Sequence, residues 1–433
     1  MRNAELLRRN FFWFMDKVKK GKVKNHYQDI KYIIENPLHP KVMAKKDDSL
    51  INILDHAVHS TDFYKKYREY SSIHDFPIID KNIIRDQFNG FQAASYIDEP
   101  KQEVFTSGST GTPFRLFHDM SKRDRNTADN IYFSERGGYT LGNELTYFRL
   151  WKTYGKKSFL TNKIKNIIPV DVFSLKENHV IEDILDKLRK NKSTMSWLGY
   201  VSAIEKICRY MDEKNSSPLP GKLVSVITIS EKLNDYTRDA MKKYFGINPI
   251  SRYSNTENGI IAQEIHTEED GFIINTASYY VEILDIETNT PVENGAIGKI
   301  VVTDLYNYCM PVIRYDTGDI GAKHMIDGKE ILCRIEGRKM DVLTDTKGEA
   351  IYSNIMYVAN HYQELKQCQL IQKDHGVYLF KINIEGVFQR EAEFIKKYRD
   401  FLGADATISV EYVDEIPLLD SGKRRFMVNE MKN

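Results

Sequence analysis

Cysteine is scarce in this chain. Four residues in 433, at positions 208, 309, 333 and 368, form no CxxC pair and show no metal-ligand spacing. That excludes a disulfide scaffold and a zinc ribbon, and it fits a reduced, cytoplasmic compartment. An excess of charge of one sign is also lacking, with 62 Lys and Arg against 61 Asp and Glu. A dedicated nucleic-acid protein carries a basic excess, so that class is set aside. No apolar run reaches the roughly 18 residues of a membrane span. The first 20 residues lack the apolar core and small-residue cleavage site of a signal peptide. The run from Lys17 to Lys24 reads as a solvated helix end. The apolar residues before it (Leu6, Leu7, Phe11, Phe12, Trp13, Phe14 and Met15) read as a helix face packed on the body, with a membrane-surface helix as the alternative.

The length exceeds the usual size of one hydrophobic core, so at least two domains are expected. Residues 1–100 read as mainly helical, punctuated by Pro37, Pro40 and Pro77. From 100 to about 260, short apolar runs such as Phe148–Trp151 and Lys222–Ile229 alternate with amphipathic stretches at 180–189 and 201–211. That alternation predicts parallel α/β layers. Between 272 and 335, short β runs separated by Asn-, Gly- and Asp-rich turns predict an antiparallel sheet or small β-barrel. A fresh α+β unit follows, with strands at 376–382 and 406–412 around a helix at 390–402. The boundary is placed at 336–341, which divides the chain into 1–337 and 338–433.

The stretch Phe105-Thr-Ser-Gly-Ser-Thr-Gly-Thr-Pro113 is the most informative in the chain. Its glycines free the backbone to turn successive N–H groups into one hollow, and its hydroxyls add donors that can follow phosphate oxygens. It is not a Walker A loop, since Thr112 stands where that pattern needs Lys. Alone, the stretch reads equally well as a plain surface loop. Its company decides the matter: Ser251-Arg-Tyr-Ser-Asn-Thr-Glu-Asn-Gly259, Arg314-Tyr-Asp-Thr-Gly-Asp319, Gly337-Arg338, and Pro417-Leu-Leu-Asp-Ser-Gly-Lys423.

In order and rough spacing these motifs resemble those of the adenylate-forming enzymes. The likeness is greatest to the phenylacetate–CoA ligase branch and its capsular polysaccharide relatives, and His59–Tyr64 through Pro77–Lys81 resembles that branch's amino-terminal region. The resemblance runs from about residue 50 onward. It implies a large amino-terminal domain, a small mobile carboxy-terminal one, and use of ATP, Mg²⁺ and, for most relatives, CoA. Thr106, Ser107, Gly108, Ser109, Thr110, Gly111 and Thr112 would hold the β- and γ-phosphates. Thr256 would lie beside the α-phosphate and Glu257 on Mg²⁺, which takes oxygen ligands and often only one or two from protein. Tyr253 would lie against adenine, with Arg252, Ser254 and Asn255 beside it. Ser230 and Glu231 match a Gly-Glu pair usual in the family, Ser230 departing from it.

Asp319 would accept from both ribose hydroxyls, and Arg338 would contact ribose or phosphates. Two residues after that arginine the family has Asp; here Met340 stands there, followed by Asp341. Lys423 would bridge the carboxylate and the α-phosphate, stabilising charge concentrated in the transition state. Tyr132, Phe133, Tyr200 and Ile260 are candidate linings for the acid pocket, although apolar residues at such positions are more often core. Some relatives carry zinc after the Glu motif; His266 has no cysteine nearby, so none is expected. The expected partners are a small carboxylate and either CoA or an amine, with the chain a monomer or homodimer. An amide-forming ligase of surface polysaccharides is the alternative, and an idle nucleotide-binding scaffold the reading from another class.

Overall fold

Leu223-Val-Ser-Val-Ile-Thr-Ile229, seven residues without a charge, forms a strand buried on both faces at the middle of the molecule. The computed structural model describes all residues except 1–2, 107–113, 152–158, 192–194, 265–270, 339–341, 352–354, 357, 360–361, 363, 385, 418–424 and 433. A hairpin, β1 (Lys101–Thr106) and β2 (Phe114–Asp119), leads into one long sheet. Its members are β3 (Glu144–Arg149), β4 (Ile167–Asp171), β5 (Met195–Tyr200), β6 (Leu223–Ile229), β7 (Ile250–Asn255), β8 (Gly259–Glu264), β9 (Phe272–Ile274), β10 (Tyr279–Leu284), β11 (Gly298–Asp304), β12 (Tyr315–Ile326) and β13 (Lys329–Arg338). The order across the sheet is β10-β11-β12-β13-β9-β8-β7-β6-β5-β3-β4.

Strands β3 to β7 pair in parallel, as the alternating pattern predicts. From β7 onward every pairing is antiparallel. The pairings within residues 272–335 are thus those of an antiparallel sheet. A two-residue ladder, Ile331 with Ile273 and Leu332 with Phe272, splices its later strands onto the earlier ones.

One face of the parallel half is covered by the helices Asn178–Lys190 and Val201–Glu213. Ile181, Leu185 and Leu188, spaced one helical turn apart, bury together with Ile204, Ile207 and Met211 around Trp197. Each fully buried aliphatic side chain there contributes about 1.5–3 kcal/mol. Against another part of the sheet lie α1 (Asn3–Val18), α2 (Lys22–Glu35) and α5 (Met120–Arg136), their core formed by Ile30, Ile33, Ile34, Ala128, Ile131 and Tyr132 with Ile260, Ile273 and Ile331. Helix α3 (Pro40–Ser60) begins with Pro at its first position after His39, whose ring accepts from the Lys41 N–H. Helix α4 (Lys81–Asp86) is capped by Asp80, which accepts from Asn82 and Ile83.

Towards the carboxy-terminal end, β14 (Leu365–Asp374), β15 (Val377–Ile384), β16 (Thr407–Tyr412) and β17 (Met427–Asn429) form a four-stranded sheet in the order β16-β15-β14-β17. The helix Glu391–Leu402 buries Phe394, Tyr398 and Leu402 with Phe380 and Ile382 in a core of its own.

Candidate active site

The segment after Pro77 pairs with the start of β12: Ile79 N–H donates to the Arg314 carbonyl at 3.0 Å, and Asp316 N–H to the Ile79 carbonyl at 2.8 Å. That ladder brings the first residue of α4, Lys81, to the turn between β7 and β8. Its ammonium lies 2.6 Å from the Glu257 carboxylate and over the Phe114 ring. Glu257 is only 3 % exposed. It also accepts from the Tyr315 hydroxyl at 3.1 Å, and its main-chain carbonyl accepts from His118 Nε2 at 2.7 Å. His118 is buried, and burial followed by nearby Lys122 pushes its pKa down, so the ring is neutral with the proton on Nε2. Three segments far apart in sequence thus converge on one residue, two of them on its carboxylate.

Beside it, the Tyr253 hydroxyl donates to Asp319 at 2.7 Å and lies 3.3 Å from the Thr317 hydroxyl. Burial, then the neighbouring Asp319 charge, raises the Tyr253 pKa well above its ordinary value, so the phenol stays a donor. Burial and Glu257 do the same for Tyr315. Tyr315, Thr317 and Asp319 are alternate residues of β12, and all three reach the β7–β8 hairpin. Gly318, between them, is at φ +78. Asp319 stands opposite Arg338 in the β12–β13 ladder. The structure therefore gathers Tyr253, Glu257, Asp319 and the main chain of Arg338, as the motifs lead one to expect. Thr256 is half-buried in the same turn, which Asn255 closes by accepting from the Asn258 N–H at 2.8 Å. Ser254 precedes it, half-buried on β7.

Other expected residues sit differently. Arg252 is 5 % exposed and donates to Gln263 and Ser134 at 2.9 and 3.0 Å. Burial lowers its pKa to about 10. Strand alternation turns it to the side opposite Tyr253, towards α5, where it ties the sheet to the helix. Glu231 holds the start of the helix Val201–Glu213, accepting from Ser202 N–H and hydroxyl at 2.7 and 3.1 Å. Ser230 has φ +70, a left-handed conformation that costs an L-residue about 1–2 kcal/mol and glycine little. That accounts for the position where the family usually has glycine. Tyr132, Phe133, Tyr200 and Ile260 are all core residues. Thr106 ends β1. Ser107, Gly108, Ser109, Thr110, Gly111, Thr112, His266 and Lys423 lie outside the described residues.

Sequence reasoning missed Lys81, His118 and Tyr315 as parts of this cluster. Only the likeness of the 77–81 segment hinted at the first. Glu257 fits a magnesium ligand in one respect: a single buried carboxylate, already balanced by one cation, is the usual protein share when nucleotide oxygens supply the rest. No group of three or more His, Cys, Asp or Glu able to hold a metal occurs among the described residues.

Comparison with known proteins finds likenesses of sequence and fold. Residues 342–430 match the model of the CapK C-terminal domain. Protein CapK of Staphylococcus aureus is 25 % identical over 394 residues, which cover 84 % of this chain and 81 % of that one. The phenylacetate-coenzyme A ligase of Aromatoleum evansii is 32 % identical over 110 residues, 24 % of this chain and 25 % of that one. Among solved structures, 2-hydroxyisobutyryl-CoA ligase in its postadenylation state superposes with a TM-score of 0.67 over 89 % of each chain at 16 % identity, a likeness of fold. The chain is thus similar over most of its length to protein CapK, over a shorter stretch to phenylacetate-coenzyme A ligases, and in fold to a CoA ligase solved with an acyl-adenylate.

Proposed function

We propose that this chain activates a small carboxylic acid with ATP. The acid's carboxylate oxygen attacks the α-phosphorus, the bond to the bridging oxygen of the β-phosphate breaks, and pyrophosphate leaves. An acceptor then attacks the acyl carbon, and AMP departs. The observation that carries the reading is the pairing of Tyr253 with Asp319 beside buried Glu257, on a hairpin that β12 braces. A carboxylate held by a phenol can accept from vicinal ribose hydroxyls, and Glu257 would hold Mg²⁺ with Thr256 beside the α-phosphate. The divalent ion would neutralise charge between two anions brought into line. Lys423 would supply the positive charge between attacking and receiving groups, from a unit spanning 338–433 that moves relative to 1–337. The loop at 106–112 would grip the leaving pyrophosphate.

The acceptor in the first reading is the thiol of CoA, whose sulfur takes the acyl group. A second reading has a specific observation behind it: similarity to CapK extends over most of the chain and over 342–430 by family model. There the acceptor is an amine on a surface polysaccharide precursor, and the product an amide.

ATP–pyrophosphate exchange across aryl, fatty, amino and sugar acids tests the first half-reaction. At least one acid is expected to support exchange, and Lys423→Ala to lower it more than a hundredfold while ATP still binds. Exchange at the wild-type rate in that variant overturns the role of Lys423, and ATP binding without exchange on any acid turns the reading towards a scaffold. Adding CoA, then amines, to the active acid separates thioester from amide.

A further inference from the structure

Helix α1 divides its residues in an unusual way. The two carboxylates of residues 1–24, Glu5 and Asp16, face inward and are 6 % and 7 % exposed. Asp16 accepts from the N–H groups of Val23 and Lys24 at the start of α2, at 3.1 and 3.0 Å. Phe12 and Trp13 pack against the core, Trp13 edge-on to Tyr27 with ring centroids 5.9 Å apart. Outward instead point Leu7, Phe11, Phe14 and Val18, at 67 %, 53 %, 61 % and 63 % exposure. Their spacing of i, i+4, i+7 and i+11 makes one continuous apolar stripe along the helix. Met15 adjoins it. The helix is held in this orientation: a Cβ on Gly142, at φ +100, would stand 2.4 Å from the Glu5 carbonyl, so the backbone of α1 is pressed against that turn.

The charge that residues 1–24 present beside the stripe is mainly positive. Of the 62 Lys and Arg and 61 Asp and Glu, residues 1–24 hold eight and two, leaving 54 and 59 elsewhere. With both of its carboxylates buried, this segment presents cations, among them exposed Lys17, Lys19, Lys20, Lys22 and Lys24, while the half-buried Asp124 of α5 lies near Lys19 and Lys22. An exposed aromatic and aliphatic stripe bordered by lysine stems is the arrangement that lies in the plane of a lipid headgroup layer, the apolar side chains below and the ammonium groups at the phosphates. No described helix is long and apolar enough to cross a membrane.

We propose that α1 docks this protein onto a bilayer surface rich in anionic phospholipid. Neither half of the feature suffices alone: lysines attract without anchoring, and an apolar stripe without complementary charge fits any greasy partner. Their coincidence on one helix, with both acids of residues 1–24 turned inward, selects the anionic lipid surface. The inference is independent of the chemistry proposed for the site.

Flotation of the full chain with phosphatidylcholine vesicles containing 0 to 40 % phosphatidylglycerol tests it. Binding is expected to rise with phosphatidylglycerol, to weaken several-fold between 50 and 300 mM salt, and to fall at least tenfold when Leu7, Phe11, Phe14 and Val18 are all changed to Ser. Lys17→Gln, Lys19→Gln and Lys20→Gln together are expected to reduce it about three- to tenfold, with thermal unfolding unchanged because none of these groups is buried. Phe14→Trp supplies a signal that survives any folding defect in the quadruple variant: its emission should shift to the blue on anionic vesicles only. Equal flotation with and without phosphatidylglycerol, or no shift for Phe14→Trp, overturns the proposal. So does a concentration-dependent dimer that the quadruple substitution abolishes, which would assign the stripe to a second copy of the chain.

Discussion

Replacing Arg314 by Met should loosen the ladder between Ile79 and the start of β12 before it touches any chemistry. The guanidinium is buried and meets Glu282 through two contacts of 3.1 Å, and it also donates to the main-chain carbonyls of Phe76 at 3.0 Å and His74 at 3.3 Å. Glu282 is equally buried. Removing Arg314 leaves the buried Glu282 charge with only the exposed His74 ring, 3.6 Å away, beside it, and breaking such a buried pair costs about 3–5 kcal/mol. For domains of 150–250 residues each kcal/mol moves the melting temperature by about 2–4 °C, so a drop of roughly 6–20 °C is expected, nearer the lower figure for so long a chain. Replacing both partners by Met removes the orphaned charge, and the double variant should recover most of the loss. Fluorescence-detected thermal unfolding of wild type, both single variants and the double one forms the cycle. A Tm for Arg314→Met within 1 °C of wild type, or a double variant no better than the single ones, refutes the reasoning. Because the Arg314 carbonyl anchors Ile79, the same substitution should loosen Lys81 from Glu257 and lower any exchange activity in parallel.

Two further outcomes are accessible to the same preparations. Burial, then Arg125, pushes the His26 pKa down to about 4, while Asp29 pulls it up, and Lys22 and Lys45 also face it. The folded state thus refuses a proton that the unfolded chain accepts below pH 6.5, and stability should fall as pH drops from 6.5 towards 4, by about 1–2 kcal/mol after allowance for solvent around this half-buried ring. Urea midpoints at pH 7.5 and 5 should show that slope in wild type and lose it in His26→Asn; an unchanged slope assigns it elsewhere. His118→Ala should lower pyrophosphate exchange about tenfold by orphaning the Glu257 carbonyl, a loss of about 1–3 kcal/mol, and raise the Mg²⁺ concentration needed for half-maximal rate. His118→Gln, which keeps a donor, should restore both. A variant that melts early yet keeps wild-type Mg²⁺ dependence reduces His118 to a packing role.

What the sequence made legible and what it hid follow from the reach of each signal. Tyr253, Glu257 and Asp319 could be picked out as a group because the motifs around them repeat a familiar order, and the structure brings them together. Parallel layers were legible in runs such as Leu223–Ile229, since a strand largely covered on both faces is mostly apolar and uncharged. Strand neighbours were not. Local periodicity says that 272–274 and 329–338 are strands, but nothing within either run says that they pair, and that pairing splices the later strands onto the earlier ones. Arg252 was misplaced although alternation alone puts it on the face opposite Tyr253. Lys81 and His118 carry no local mark. A lysine after an N-cap aspartate and a histidine at a strand end are ordinary, and only the ladder between Ile79 and Tyr315 and the turn at 255–258 give them a partner.

That partner explains why the cluster is built as it is. A carboxylate as enclosed as Glu257 would incur a desolvation penalty of several kcal/mol if left alone. The chain supplies a cation from Lys81, a phenol from Tyr315 and a fixed main chain through His118, so the charge is balanced before any ligand arrives. On the proposed reading Glu257 would hold a divalent ion where it now meets the Lys81 ammonium, and the ion would supply positive charge there. Lys81 is more than a third exposed and sits at the first turn of a six-residue helix, so its long side chain can withdraw without disturbing the core. Tyr315 cannot, being walled in by the apolar cluster of Tyr64, Phe76 and Ile313. The site is thus preorganised on its acidic side and adjustable on its basic one, which is the asymmetry an enzyme needs when its metal enters together with a nucleotide.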